Sequence, residues 1–302
     1  MNYVLWKVKE MNNKVLIASD STCDLSKELQ EKYNVKILPL YITFGEESYK
    51  DNEEIDLKEL YNQVKLRNEL PKTAAIPPKD FHNFFKKYVN EGYDIVFITI
   101  GSDLSATFQN ARIASEDFED HVYCVDSKNL STGIGLLVLK ACTFRDQGLS
   151  AKEIAEKVEA TVPHVKSQFV VETLEYLHKG GRCTGTARFF GSLLSIKPMI
   201  VVREGKMTVG KKFIGSMKKA VTGMTKLFLN DLEHLDPEFV FITHTFAFDK
   251  ADLIRNLIKD VKVENLYETV AGCVIGSHCG TGTIGILYIL KDQEVKKEEI
   301  VE

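Results

Sequence analysis

The run Gly276-Ser277-His278-Cys279-Gly280-Thr281-Gly282-Thr283-Ile284-Gly285 sets one imidazole among four glycines, between the apolar runs Val270–Ile275 and Ile286–Leu290. Glycine lets a backbone approach a ligand closely and adopt positive φ. A histidine held in such a run is better suited to meeting a polar group than to filling a core. A simple chain reversal is the competing reading.

Three other segments offer polar groups at the ends of apolar runs. In Ile98-Thr99-Ile100-Gly101-Ser102-Asp103-Leu104-Ser105-Ala106-Thr107, an expected strand ends, Gly101 permits a turn, and a helix is expected to begin. Ser102 suits the N-cap of that helix, with Ser105 three residues on. The N–H groups of such a helix start would accept a carboxylate or phosphate, unless Ser102 merely caps its own helix. Lys72-Thr73-Ala74-Ala75-Ile76-Pro77-Pro78 presents one hydroxyl, that of Thr73, ahead of two prolines that favour extended chain. Lys179-Gly180-Gly181-Arg182 presents a guanidinium whose planar fork matches carboxylate or phosphate.

Common enzyme signatures fail. Gly280-x-Gly282-x-x-Gly285 fits the dinucleotide-binding pattern in letters, but a strand-like run follows it and too little chain remains for an acidic ribose ligand. There is no G-x-S-x-G elbow and no phosphate-binding G-x-x-x-x-G-K-[ST] loop. A hydrolase triad of Ser102, His278 and an aspartate is open on residue type alone. The run Phe189-Phe190-Gly191-Ser192-Leu193-Leu194-Ser195-Ile196-Lys197-Pro198-Met199-Ile200 would line a deep pocket or equally well pack a core.

The elements that must hold these groups alternate in period. Val15–Ser19, Val35–Leu40, Ile95–Ile100 and Val122–Asp126 read as strands, and Leu57–Arg67, Asp80–Asn90, Ala106–Phe118, Thr132–Gln147 and Ala151–Thr161 as helices. Beyond them, Phe169–Glu172 reads as a strand, Ala187–Leu194 as a short helix, and Pro198–Val202 with Met207–Lys211 as a hairpin. Ser216–Leu229 and Lys250–Lys259 read as helices, and Phe239–His244, Val270–Ile275 and Ile286–Leu290 as strands. This is an α/β pattern, expected as two α/β domains, residues 14–162 and 163–302. Open α/β sheets bind ligands beyond the carboxyl ends of their strands, where the polar segments fall.

A chain of 302 residues has room for two cores, and its 44% hydrophobic and 27% charged content is ordinary for a globular protein. The net charge of −4 without a basic stripe argues against nucleic acid and anionic membrane as direct partners. No apolar run approaches the ~20 residues of a membrane helix, and Met1–Asn13 does not read as a signal peptide. Six scattered cysteines with no Cys-x-x-Cys pair indicate free thiols and a reducing cytoplasm, and the histidines show no metal-ligand spacing.

Taken in order, several segments resemble the DegV family of bacterial fatty-acid-binding proteins. They are Ser19-Asp20-Ser21-Thr22-Cys23-Asp24-Leu25, Thr73, Ile100–Thr107, Val125-Asp126-Ser127 with Ser131-x-Gly133-x-Gly135, Lys179–Arg182, Lys197-Pro198 and Gly276-Ser277-His278, spanning about residues 14 to 290. The resemblance implies two α/β domains with a lipid-binding cleft between them and one long-chain fatty acid as ligand. It implies no cofactor, no metal and no chemistry of the protein's own. The acyl carboxylate would be presented to a separate ATP-dependent fatty acid kinase, whose acyl-phosphate serves phospholipid synthesis. By motif, Thr73, Ser102 and His278 would hold the carboxylate, with Ser105 and Ser277 as further polar contacts. Arg182 would meet phosphate or the kinase, and Phe189, Phe190, Leu193, Leu194, Ile196 and Met199 would line the acyl pocket. Two departures stand out. Ala74-Ala75-Ile76 replaces a more polar stretch after Thr73, and Ile214 stands where the family often carries an arginine. Losing that arginine bears on the kinase partnership more than on lipid binding, and a lipid sensor or store without a kinase is the alternative.

Overall fold

A computed structural model describes residues 14–184 and 196–291. The chain runs β1 (Lys14–Asp20), α1 (Lys27–Lys32), β2 (Lys36–Leu38), β3 (Tyr41–Phe44), β4 (Glu47–Lys50), α2 (Leu57–Arg67), β5 (Lys72–Ala74), α3 (Pro78–Asn90), β6 (Tyr93–Thr99), α4 (Thr107–Ser115), β7 (Val122–Asp126), α5 (Thr132–Asp146) and α6 (Ala151–Thr161). It continues as β8 (Val165–Val170), α7 (Glu175–Gly180), β9 (Cys183–Thr184), β10 (Ile196–Arg203), β11 (Lys206–Ile214), α8 (Met217–Asn230), β12 (Leu235–His244), α9 (Phe248–Leu257), β13 (Asn265–Val270), α10 (Cys273–Cys279) and β14 (Ile284–Leu290).

Strands β2-β1-β6-β7 form a parallel sheet. Parallel sheets are covered on both faces. Here α3 and α4 pack against β6 and β7, while α5 contacts β1 and β6 and α6 contacts β6 and β7. A small antiparallel sheet, β4-β3-β5, carries Thr73 on its edge strand β5, where Ile42 pairs with it. The remaining strands form a mixed sheet in the order β13-β12-β14-β8-β10-β11-β9. The first two sheets end at Asp126 and the third begins at Val165.

Helix α5 lies between the parallel sheet and the mixed one, contacting β1 and β6 on one side and β8, β12 and β14 on the other. Its run Thr132–Leu139 is fully buried, as expected of a helix apolar on every face. Its glycines permit that depth. A Cβ on Gly135 would sit 2.9 Å from the Cys23 carbonyl oxygen, and one on Gly133 would sit 2.4 Å from the Ser167 hydroxyl.

Two local expectations fail. Val270–Ile275 is not a strand: β13 ends at Val270 and α10 opens at Cys273. Val274 and Ile275 favour strands, but packing outweighs so small a preference. Gly276 lets α10 press onto α2, where an added Cβ would meet Leu57 Cδ1 at 2.2 Å. The histidine run therefore begins as the last turn of α10, Gly276–Cys279, before a turn over residues 280–283 leads into β14. The helix expected at Ala106, with Ser102 as its cap, starts at Thr107 with Ala106 in the cap position. The helix expected over Ala187–Leu194 lies outside the described residues.

Candidate functional site

A cavity of about 210 Å³ opens where β5, the turn after β6, and α10 converge. Its polar groups are Thr73, Ser105, Arg182 and His278. Its apolar wall includes Leu40, Ile100, Leu104, Leu130, Met207 and Ile275.

Thr73 reaches it from edge strand β5, and its Oγ1 lies 2.9 Å from His278 Nε2. The other imidazole nitrogen, Nδ1, is buried and has no hydrogen-bond partner among the described residues. Gly180 explains how the ring fits: a Cβ there would lie 2.3 Å from that nitrogen, so only glycine lets α7 close against the imidazole. Burial, with the charge of Arg182 adding to it, pushes the His278 imidazole down to about 4. At neutral pH the imidazole is thus neutral. Cys279 also lines the wall, and burial pushes its thiol up to about 12, so it contributes a neutral surface and not a nucleophile.

Gly181 ends α7 in the left-handed region at φ 68°, a common helix stop. That turn brings Arg182 to the cavity, where its Nε donates to the Leu104 carbonyl at 3.4 Å and its Nη1 to the Gly180 carbonyl at 2.8 Å. Ser105 sits within a local pair, its Oγ 2.8 Å from Thr107 Oγ1.

A second, smaller cavity of about 30 Å³ adjoins the first. Leu130, Ile275 and Cys279 line both. Beyond them it runs along the mixed sheet past Phe169 and Leu287. Its hydroxyl residues are already engaged with the protein. Ser131 donates to Asp24, Ser167 to Asn129, Thr245 to the Gly280 carbonyl and Thr283 to the Cys279 carbonyl. With their protons used, these side chains behave toward the cavity as small apolar groups.

The structure thus brings Thr73, Ser105, Arg182 and His278 together and leaves other expected residues outside. Ser102 is exposed one turn before α4 and lines neither cavity; its Oγ accepts a 2.7 Å bond from Lys128 Nζ, which also pairs with Asp126. Ser277 is buried, lines neither cavity and donates to the Cys273 carbonyl. Met199 packs in the core beneath α8, and Ile196 begins β10 opposite Ile214; neither lines a cavity. Phe189, Phe190, Leu193 and Leu194 lie outside the described residues. The triad does not assemble, because Nδ1 of His278 meets no carboxylate and Ser102 stands elsewhere. The overlooked wall residues adjoin the polar motifs directly: Ile100 precedes Gly101, Leu130 precedes Ser131, and Val274 and Ile275 precede Gly276.

Fold and site together define an α/β protein with an apolar cavity whose wall carries uncharged donors and an arginine. A family model described as "Uncharacterised protein, DegV family" matches residues 14–291, and the chain belongs to the DegV family. A DegV domain-containing protein of Clostridium acetobutylicum is 36% identical over 280 residues, covering 92% of this chain and 99% of that protein. Among solved structures, a DegV-family protein of Thermus thermophilus described by its fatty acid binding aligns with a TM-score of 0.85 and 30% identity, over 92% of this chain and 100% of that one. The fatty acid binding protein DegV of Bacillus subtilis aligns with a TM-score of 0.81 and 29% identity, over 92% and 100%. A stearic acid-binding protein of Eubacterium ventriosum aligns at 0.79 and 27%, over 92% and 98%. No described helix is long and apolar enough to cross a membrane.

Proposed function

We propose that this protein binds one long-chain fatty acid with its carboxylate at Thr73 and His278, and presents that carboxylate to a separate ATP-dependent fatty acid kinase. The observation that carries this reading is the pairing of Thr73 Oγ1 with His278 Nε2 in the wall of an apolar cavity that Ser105 and Arg182 also line. A buried carboxylate needs donors. Thr73, Ser105 and His278 supply them, and Arg182 adds charge near the mouth, where it would serve a phosphate or the kinase. The acyl chain would run past Leu130, Ile275 and Cys279 toward Phe169 and Leu287. Each buried methylene contributes about 0.8 kcal/mol, so a chain of ~15 gains roughly 12 kcal/mol before the costs of association.

In this role the protein works in the cytoplasm, feeds acyl-phosphate toward phospholipid synthesis and performs no chemistry itself. The similarity to fatty-acid-binding proteins of Thermus thermophilus and Bacillus subtilis supports the ligand class. One observation favours a second reading, a lipid sensor or store. Ile214, in place of the frequent family arginine, is 66% exposed at the end of β11 and offers a partner no charge. Solvent extraction of the purified protein followed by mass spectrometry should yield a stoichiometric long-chain fatty acid; its absence from both native and lipid-loaded protein overturns the assignment. Adding a fatty acid kinase with ATP should then give acyl-phosphate. Loaded protein that yields none is the sensor's result, and ATP or ester turnover without the partner defeats the non-enzymatic reading.

A further inference from the structure

The segment Asp20-Ser21-Thr22-Cys23-Asp24 does not line the cavity, yet it lies against the elements that build it. Asp20, Asp24 and Asp51 are buried, and their fields reach one another. Each carboxylate is held by N–H and hydroxyl donors. Asp20 accepts from Ile100 N at 2.7 Å, from Thr22 N at 3.0 Å and from the Thr22 hydroxyl. Asp24 accepts from Gly272 N at 2.8 Å and from Ser131 Oγ at 2.6 Å. Asp51 accepts from Cys273 N at 2.8 Å and from Ser21 Oγ at 2.7 Å.

The donors belong to the cavity's frame. Ile100 begins the turn that leads to Leu104 and Ser105, Ser131 follows Leu130, and Gly272 and Cys273 start the helix that ends in His278 and Cys279. Local geometry serves these contacts. Asp24 sits at φ 52° and Ser131 at φ 53°, a conformation costly for residues with side chains. A Cβ on Gly272 would lie 3.2 Å from both Asp24 Oδ1 and Asp51 Oδ1 and 2.5 Å from Asn52 Nδ2, so a side chain there crowds both carboxylates at the helix start.

We propose that Asp24 and Asp51 are positioning residues for the lipid head-group site, fastening the first turn of α10 to the N-terminal half and so fixing where His278 stands. Helix α10 transmits the hold as a short rigid body. It is tied at its start by the two carboxylates and by Cys273 Sγ donating to the Ile55 carbonyl, and pressed midway onto α2 at Gly276. Only four residues separate Cys273 from His278, so a loosened first turn displaces the imidazole from Thr73.

The test measures binding of a long-chain fatty acid and of the alcohol of the same chain length, a comparison that rests on the fatty-acid reading. Asp51→Ala should weaken the acid about tenfold, as for one lost charge-assisted hydrogen bond, and leave the alcohol within about twofold. Asp51→Asn, which keeps the volume and one acceptor, should fold as the native protein does and fall between; Gly272→Ala should act like Asp51→Ala. Phe228→Leu, a core change beneath the mixed sheet, should leave the preference for acid over alcohol intact. Equal loss of both ligands, or loss of neither, in the Asp51 and Gly272 variants overturns the proposal. A lipid-free readout keeps this separate from the ligand assignment: the His278 imidazole, faced by the charge of Arg182, should titrate by NMR near 4 in the native protein and move toward ~6.5 in Asp51→Ala. A native protein that binds neither lipid sinks the fatty-acid reading alone, whereas an unmoved His278 titration in Asp51→Ala sinks the latch.

Discussion

The buried aspartates behind α10 and the polar end of the cavity face the same physical problem, a carboxylate removed from water, and meet it differently. Asp20, Asp24 and Asp51 are the protein's own acids, and each is bonded by backbone N–H groups and hydroxyls. At the cavity the polar groups are donors and not acids: Thr73 Oγ1 and His278 Nε2 face each other, with Ser105 and Arg182 in the same wall. One region is complete and fixes geometry. The other sets hydroxyls, an imidazole and a guanidinium in the wall of an apolar cavity, the surroundings that a ligand's carboxylate needs.

The largest effect should come from removing the cavity's donors while leaving the aspartates alone. Thr73→Ala with His278→Ala deletes two hydrogen bonds to a charged group, about 2 kcal/mol each, so fatty-acid affinity should fall roughly a thousandfold. Displacement titration with a fluorescent fatty acid reads this directly. A loss under tenfold would mean that the carboxylate is held elsewhere and that the contrast between the two regions is misdrawn.

Next comes the ionisation of the complete region. Burial pushes Asp20 up from 3.8 to about 6 despite its three hydrogen bonds. A folded value above the unfolded one favours the protonated acid in the fold. Its stabilising contribution is therefore present below about pH 4 and lost as pH rises through about 6, a difference of about 3 kcal/mol at neutral pH. Asp20→Asn, which does not titrate, should remove that loss. Chemical denaturation of both proteins from pH 4 to 7 should show the native protein losing about 2 kcal/mol more than the variant, since at pH 4 the unfolded acid is already partly ionised; parallel curves would show that Asp20 titrates normally.

A smaller effect should appear at the junction of the two cavities. Leu130→Phe adds bulk where both share a wall, so binding of long chains should fall about tenfold while chains short enough to stay in the larger cavity lose little. Isothermal titration across a series of chain lengths measures it, and a uniform loss at every length would place the acyl path elsewhere.

Much of this was readable before any coordinates. The alternating apolar runs led to the parallel sheet because buried parallel strands carry unbroken apolar stretches such as Leu16–Ala18 and Ile95–Ile98. That Thr73, Arg182 and His278 come to one cavity was legible because each stands within two residues of glycine or proline, residue types that mark special backbone. What stayed hidden depends on distant packing. Val274 and Ile275 are helical only because α10 docks on α2. Met199 belongs to a core and not a pocket, a distinction that apolar character cannot make. Asp20 and Asp24 stood in a motif that carries the family resemblance, but their partners were hidden, since nothing local shows that Asp24 will meet Gly272, 248 residues away.

Ser102 and Ser105 give the finest discrimination. In a helix beginning at Ser102 that residue would be the cap and the natural anchor, but the chain makes a further turn and α4 starts at Thr107. Ser102 is left exposed with Lys128 on its hydroxyl, and Ser105 is carried to the cavity. Ser102→Ala should therefore change fatty-acid affinity by less than about twofold, the usual reach of an exposed polar substitution. Ser105→Ala should cost about threefold to tenfold, because its hydroxyl is a donor available to the head group. Measured side by side at one pH, a larger loss for Ser102 than for Ser105 would return the anchor to the first serine and require the turn after β6 to close over the ligand when the lipid is bound.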